Sequence, residues 1–226
     1  YLSDDALLCE TVIPGAHDAG TVGMMWAAET QNRTVAEMLA CGARYFDLRV
    51  ENDGGNLVVF HGPIKGMSFL PIIDAISEFL TNHPSETLLL DFQHFENDGS
   101  MEGVDSLLNE KLNGKLVVND TEKSDLQFAK ELTVGATRGK AMVFWGNYFK
   151  NTSECEYING RNYLFARNND AGTRTGSALH SFYKGTLNRL ASKTYLKKAI
   201  PEYVEQFRQS NGGFFVMQMQ LTDPIV

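Results

Sequence analysis

From one end of the chain to the other, short β-type runs alternate with helical hydrophobic patterns, and this alternation limits the fold more than any other feature. Thr11 to Pro14 reads as a short buried strand running into Gly15-Ala16. Thr34 to Cys41 reads as a helix: Thr34 and Glu37 have capping-box spacing, Val35, Met38 and Leu39 share a face, and Gly42 ends it. Arg44 to Val50 is the next strand, followed by the turn Asn52-Asp53-Gly54-Gly55 and the strand Leu57 to Phe60, which delivers His61-Gly62-Pro63 just beyond its end. Pro71 to Leu80 has the helical spacing of Ile72, Ile73, Ile76, Phe79 and Leu80, and stops before Pro84. Thr87 to Phe92, Ala141 to Trp145, Tyr163 to Phe165 and Phe214 to Leu221 complete the strands. Between them lie the amphipathic helix Val104 to Leu112 and a helical region from Leu187 to Phe207, expected to break at Pro201.

Seven or eight strands separated by helical material predict an α/β fold. Spread over 226 residues, eight units are about 28 residues each, which suits an irregular (β/α)8 TIM-like barrel trimmed to seven or eight units. The whole chain, 1–226, is then one domain. A doubly wound open sheet is the structural alternative, though no Gly-x-Gly-x-x-Gly opens a helix after a strand. A Walker loop, a Gly-x-Ser-x-Gly elbow and a His-Glu-x-x-His helix are also missing from the sequence.

Composition removes several function classes. With 20 Lys+Arg against 28 Asp+Glu the net charge is -8, a poor start for coating a nucleic-acid backbone or adhering to anionic membranes. Cys9, Cys41 and Cys155 are far apart and lack metal-ligand spacing, so at most one disulfide is expected. No apolar run approaches the ~18 residues of a membrane-spanning helix. The start at Tyr1 reads as a processed end, and Asn32, Asn119 and Asn151 head Asn-x-Ser/Thr triplets that carry little weight for secretion.

Three segments place chemically capable residues at the carboxyl ends of predicted strands, where β/α barrels build their sites. In Ile13-Pro14-Gly15-Ala16-His17-Asp18-Ala19-Gly20-Thr21 an imidazole and a carboxylate are surrounded by small residues that let a ligand approach. In Gly42-Ala43-Arg44-Tyr45-Phe46-Asp47-Leu48-Arg49-Val50, Asp47 and Arg49 are two apart and share a strand face. An acid and a guanidinium facing an interior must pair with each other or serve a ligand. In Val58-Val59-Phe60-His61-Gly62-Pro63 a strand ends in His61. Two imidazoles can work as general base and general acid near neutral pH, and a guanidinium holds phosphate in bidentate fashion. Together they suit phosphoryl transfer between oxygens without a metal. His83, His94 and His180 are weaker candidates, with His83 expected to face solvent.

The stretches IPGAHDAGT, GARYFDLRV and VVFHGP, in this order, strongly resemble the X-region barrel of the phosphatidylinositol-specific phospholipase C superfamily, with SETLLLDF, TRGKAMVF and GGFFVMQMQLTDP in support. The resemblance is nearest to the bacterial and X-domain-only branches. It implies that His17 is the general base, His61 the general acid and Arg49 the phosphate clamp, that Asp18 orients His61 rather than its neighbour, and that Asp47 supports the site. The last strand should supply a carboxylate for His17; it offers Gln218, Gln220 and Asp223, of which Asp223 is the one expected, and a glutamine in that place would orient His17 but stabilise its imidazolium less. No cofactor and no metal are expected, because Arg49 stands where metal-dependent relatives hold calcium. The family pattern is not met at Gln93-His94, where the bacterial branch has a lysine, at Gly146-Asn147, where it has an arginine, or clearly at Arg167 to Asp170, so the head group is left open.

The resemblance further implies a secreted or extracellular protein, peripheral to membranes, whose partner is a phospholipid head group at an interface, with no nucleic acid and no stable protein partner. Met24, Met25 and Trp26 are then expected to be exposed for interfacial contact, or else to pack in the core. Two other functions compete. One is a noncatalytic phospholipid-binding barrel; the other is a metal-dependent glycerophosphodiester hydrolase, which would require an acidic ligand cluster in the early strands.

Overall fold

The computed structural model describes residues 2–146, 157–168, 176–183, 192–209 and 212–218. Its strands are β1 (Gly15–Ala16), β2 (Tyr45–Asp53), β3 (Asn56–His61), β4 (Ile64–Ser68), β5 (Thr87–Glu96), β6 (Lys140–Trp145), β7 (Leu164–Asn168), β8 (Leu179–Tyr183) and β9 (Phe214–Gln218). Its helices are α1 (Val35–Ala40), α2 (Leu70–Asn82), α3 (Ser100–Lys111), α4 (Asp125–Glu131), α5 (Val134–Thr137) and α6 (Ser192–Gln209).

Long β2 organises the sheet. One edge pairs in parallel with β5; the opposite edge takes β1 at its start, at Tyr45 and Phe46, and β3 at its end, from Val50 to Asp53. From β5 the order continues through β6, β7, β8 and β9, all parallel, while β3 and β4 form an antiparallel hairpin beyond the main ring. The seven parallel strands thus follow the order of a β/α barrel. Among the described residues no ladder joins β9 to β1.

Hydrophobic patterning explains the two layers. β5 is buried on both sides, as a strand of a parallel sheet must be. Leu88, Leu90 and Phe92 join Phe46 and Leu48 against Ile72, Ile73 and Ile76 of α2 and Val104 and Leu108 of α3. Leu89, of opposite parity, joins Tyr45, Met142, Phe144, Phe165 and Leu179 in a second cluster inside the ring. α1 begins as the sequence predicts: Thr34 and Glu37 form the reciprocal capping box, which places the turn between β1 and β2.

Four expectations are revised. Thr11 to Pro14 is not a strand; only Gly15 and Ala16 pair, because Pro14 has no N–H to give and contributes just its carbonyl, which accepts from Arg44 and Tyr45. β4 was not anticipated, since Lys65-Gly66 lowers its β propensity; tertiary pairing with β3 forms it. With β8, which lies where no strand was read, the sheet holds nine strands rather than seven or eight. α6 runs through Pro201 without ending there. Cys9 and Cys41 are free thiols, while Cys155, residues 187–191 of the expected last helix and residues 219–221 of the expected last strand lie outside the described residues.

Gly20 joins the first loop to the helix layer. Its φ is +95°, and a Cβ there would lie 2.7 Å from Ile72 Cδ1 and 3.0 Å from Val59. Gly23 has φ +79° but faces open space. Gly20→Ala should therefore cost roughly 2–4 kcal/mol in urea unfolding, strain plus overpacking, whereas Gly23→Ala should cost only the left-handed strain of about 1–2 kcal/mol. Equal unfolding midpoints for the two variants would contradict this packing.

Candidate active site

The first loop is shaped by its own backbone. After β1 the chain turns through Asp18 at φ +46°, a conformation that a short carboxylate side chain tolerates. Ala19 N–H donates to the Asp47 carbonyl at 2.8 Å, tying the loop to β2. The neck of the loop is closed by buried Thr21, whose hydroxyl oxygen accepts from the backbone N–H of Thr30 at 3.1 Å and of Gln31 at 3.2 Å. Gln31 in turn donates through Nε2 to the His17 carbonyl at 2.7 Å.

Register brings the charged groups together. Ala16 pairs with Phe46, so the next residues in line, His17 and Asp47, are neighbours. His17 Nδ1 lies 2.8 Å from Asp47 Oδ2, and its Nε2 lies 2.9 Å from Asp18 Oδ2. Arg49 Nε, two residues along β2, reaches Asp18 Oδ1 at 2.5 Å. From the end of β3, His61 Nε2 points at the same Asp18 Oδ2 from 3.6 Å. His61 Nδ1 is 3.0 Å from the Ala28 carbonyl, which can only accept, so that nitrogen carries a proton and Nε2 faces the site. Asp18, with a side chain 1% exposed, therefore has three cationic or protonatable partners.

These contacts set the protonation states. Burial of His17 disfavours its charge, but hydrogen bonds to Asp18 and Asp47 and the charge of both carboxylates outweigh it and raise its pKa to about 9. Burial would likewise lift the Asp18 carboxyl; the His17 hydrogen bond and the charges of Arg49, His17 and His61 prevail and hold it below the usual carboxylate range. At neutral pH the arrangement is an imidazolium bridged between two carboxylates, one of them clamped by a guanidinium.

Five of the six expected site residues converge: His17, Asp18, Asp47, Arg49 and His61. Two details differ from expectation. Asp18 contacts its neighbour His17 more closely than His61, because the left-handed turn folds its carboxylate back over the preceding ring. The carboxylate on His17 Nδ1 is Asp47, whose register on β2 puts it there, so Asp47 does more than support the site. Asp223, expected in that role, lies outside the described residues. Arg49 pairs with Asp18 and not with Asp47. His83 is exposed, as expected.

Beside this cluster, with Asp91 paired in register with Asp47, is a second polar set that the sequence pattern did not reveal. Arg167 on β7 and Asp91 on β5 form a fully buried pair, Nε to Oδ1 2.6 Å. Tyr45 O–H donates to Asp91 Oδ2 at 2.6 Å, and Gln93 Nε2 donates to the same oxygen at 3.2 Å. Burial pushes the Asp91 carboxyl up while Arg167 opposes the shift, and burial also raises the Tyr45 phenol well above its ordinary value. Gly146 makes room for the guanidinium stem: a Cβ there would lie 2.6 Å from Arg167 Cγ. Asn147, Asn169 and Asp170 lie outside the described residues.

Two further features bear on chemistry. His17, Asp18 and Asp47 offer three ligand atoms within 4.8 Å of one another, so they are the residues that could hold a cation, which would have to displace the His17 proton and meet the charge of Arg49. Of the apolar trio in the loop, Met24 is buried against Gly66, while Met25 and Trp26 stand 55% and 76% exposed. His17 and Asp47 also line a cavity of about 1120 Å³, whose walls include Gln31, Tyr45, Ile13 and Val216.

A β/α barrel carrying two imidazoles, buried carboxylates and a guanidinium at the carboxyl ends of its strands has the architecture of the phospholipase C-like phosphodiesterases. Residues 5–145 match the model of the phosphatidylinositol-specific phospholipase C X domain, and the chain belongs to that family. Among curated relatives, it is 43% identical over 70 residues to the human PI-PLC X domain-containing protein 2, covering 29% of this chain and 23% of that protein. It is 31% identical over 104 residues to the 1-phosphatidylinositol phosphodiesterase of Listeria monocytogenes, covering 42% of this chain and 32% of the relative. The aligned parts thus span less than two thirds of either relative. In three dimensions it is similar to the phosphatidylinositol-specific phospholipase C of Listeria monocytogenes, with a TM-score of 0.74 at 22% identity over 99% of this chain and 78% of that one. The fold is therefore that of a phosphatidylinositol-specific phospholipase C barrel.

Replacing Asp47 by Asn should lower the His17 pKa from about 9 toward its ordinary 6.5, since the imidazolium loses a charged hydrogen-bond partner. The C2-proton resonance of His17 followed by NMR from pH 5 to 10 checks it; an unshifted titration would mean that Asp47 does not support the charge.

Proposed function

We propose that this chain is a phosphodiesterase that cleaves a phosphoinositide or related phosphodiester through its two histidines, without a metal. The observation that carries the reading is the convergence of His17, His61 and Arg49 on the single buried carboxylate of Asp18. Binding alone does not require both an acid and a base facing one point. Arg49, held by Asp18, offers its remaining N–H groups to the phosphate oxygens.

In the proposed reaction His17 takes the proton from a head-group hydroxyl adjacent to the phosphate. That oxygen forms a bond to phosphorus as the bond from phosphorus to the glycerol oxygen breaks. His61 Nε2 gives its proton to the departing alkoxide, and a cyclic phosphate and a neutral diglyceride result. In a second step the roles reverse: His61 deprotonates water, which opens the ring, and His17 returns a proton to the head-group oxygen. Asp47 stabilises the His17 imidazolium as it forms, the part a buried carboxylate plays in a catalytic triad.

The substrate would be met at a lipid surface, with the protein peripheral to the membrane and in an extracellular setting. Supporting this, Met25 and Trp26 project from the loop that also carries Ala28, whose carbonyl holds His61. An indole and a thioether exposed beside the site suit the head-group boundary of a bilayer.

The test is release of water-soluble phosphate ester from phosphatidylinositol vesicles and from soluble glycerophosphoinositol in the presence of EDTA. A cyclic phosphate should form, and His17→Ala and His61→Ala should each lower turnover by about 10²–10⁴-fold. Undiminished turnover in either variant would overturn the two-histidine assignment, and loss of activity in EDTA would overturn the metal-free one. No turnover on either substrate with retained lipid binding would favour the noncatalytic module.

The His17 pKa also gives a sign for the pH dependence. A base that must first lose a proton held to about pH 9 makes kcat/KM rise with pH through the neutral range toward 9. A limb that falls with pH near 9 would instead make His17 the acid. Separately, Trp26→Ala should weaken activity on vesicles about tenfold while leaving hydrolysis of the soluble ester unchanged; an equal loss on both would place Trp26 in a structural role.

A further inference from the structure

Two carboxylates stand side by side inside the ring. Asp47 of β2 and Asp91 of β5 pair in register on neighbouring parallel strands, so their side chains leave one face of the sheet about 5 Å apart at the backbone. They are 1% and 0% exposed. Like charges this close repel, and each must be met by its own cations and donors. Asp91 is engaged on both oxygens. Arg167 Nε lies 2.6 Å from Oδ1, and Tyr45 O–H at 2.6 Å and Gln93 Nε2 at 3.2 Å donate to Oδ2. Just beyond this pair the ladder bulges, passing over Gln93, which keeps that side chain with Asp91.

Asp47 is engaged on one oxygen only. His17 Nδ1 and the Asp18 N–H meet its Oδ2 at 2.8 and 3.4 Å. Its Oδ1 is buried and has no hydrogen-bond partner among the described residues. A buried carboxylate oxygen left without a donor is costly, so its presence calls for a reason. A guanidinium on that oxygen would satisfy it, but would also share the charge that supports the His17 imidazolium. Arg167 is such a group, and in strand order Asp91 stands between it and Asp47. Tyr45 follows the same rule: it shares the strand face of Asp47, two residues away, yet gives its hydroxyl proton to Asp91.

We propose that Asp91 is a positioning residue, which draws the Arg167 guanidinium and the Tyr45 hydroxyl to itself and so leaves Asp47 to His17 alone. The inference rests on the proposed function, in which His17 becomes an imidazolium as the head-group oxygen attacks phosphorus. Asp91 is not itself a catalytic residue; it acts through Asp47. Without its charge, Arg167 is a buried cation that must find another carboxylate, and Asp47, about one strand spacing further on, offers an unused oxygen. The bond from Asp47 to His17 then weakens, and with it the support for a charge that arises as the reaction proceeds.

The experiment compares wild type, Asp91→Asn and the double variant Asp91→Asn with Arg167→Met on soluble glycerophosphoinositol, each at its pH optimum, with the His17 Nδ1–H resonance followed by NMR. Asp91→Asn should lower kcat about tenfold with KM within about twofold, and should move the His17 resonance upfield as its hydrogen bond weakens. Removing the guanidinium as well should return kcat to within about threefold of wild type and the resonance toward its original position. A packing defect at Asp91 is not repaired by a second change in the interior, so a double variant no better than Asp91→Asn would overturn the proposal. If Asp91→Asn does not fold, the double variant, which leaves neither charge of the pair behind, carries the test, and a kcat more than about tenfold below wild type counts against the proposal. Unchanged kcat in Asp91→Asn would overturn it as well, while leaving the phosphodiesterase reading intact. No turnover by the wild type would overturn that reading and the proposal with it.

Discussion

A carboxylate without solvent is costly unless charge and hydrogen bonds surround it, and Asp18 is almost wholly buried. Its charge is the constraint on which the site depends. His17 answers it from the adjacent position, Arg49 from β2 and His61 from the end of β3, so one group requires three separate stretches of chain to meet. The left-handed backbone at Asp18 is what aims the carboxylate inward, and the bond from Ala19 to the Asp47 carbonyl holds that turn against the sheet. Removing any one partner would leave the remaining charges less balanced, which makes the cluster a cooperative unit rather than a set of independent contacts.

Beside it the barrel interior is divided, Asp91 lying in register with Asp47. The Asp91–Arg167 pair, with Tyr45 and Gln93, occupies the middle of the ring, and the aromatic and aliphatic cluster around Phe144 and Phe165 fills the rest. The pair is linked to the Asp18 cluster through β2, where Tyr45 and Asp47 share a face, and through the field of Asp47, which acts on Asp91. A mixed interior of this kind departs from the layered aliphatic filling of regular barrels.

Much of this was legible from residue order alone. The capping box at Thr34 and Glu37, the isoleucine stripe of α2 and the Asn52 to Gly55 turn each combine a local signal with a single physical cause, and each appears in the structure where it was read. His17, Asp18, Asp47, Arg49 and His61 were legible as well, because parity and strand ends already place them. What remained hidden needs a partner strand to exist. The bulge at Gln93 is a mismatch between two strands, the Asp91–Arg167 pair spans 76 residues of sequence, and the room left by Gly146 has meaning only beside Arg167. Asp47 was assigned too small a part for the same reason, since its contact with His17 follows from the register of a two-residue strand that no propensity would mark.

The Thr21 neck has a further consequence, in the way such a loop can be altered. Its hydroxyl gathers Thr30 and Gln31 at the base of the excursion, and Gln31 holds the His17 backbone, so the end of the loop that carries His17 and Asp18 is anchored before the chain reaches its outward tip. Residues at that tip, Met25 and Trp26, can be exchanged for others without disturbing the anchor. A change confined to those two side chains would alter the character of the exposed tip and leave the hydrogen bonds that place His17 and Asp18 as they are.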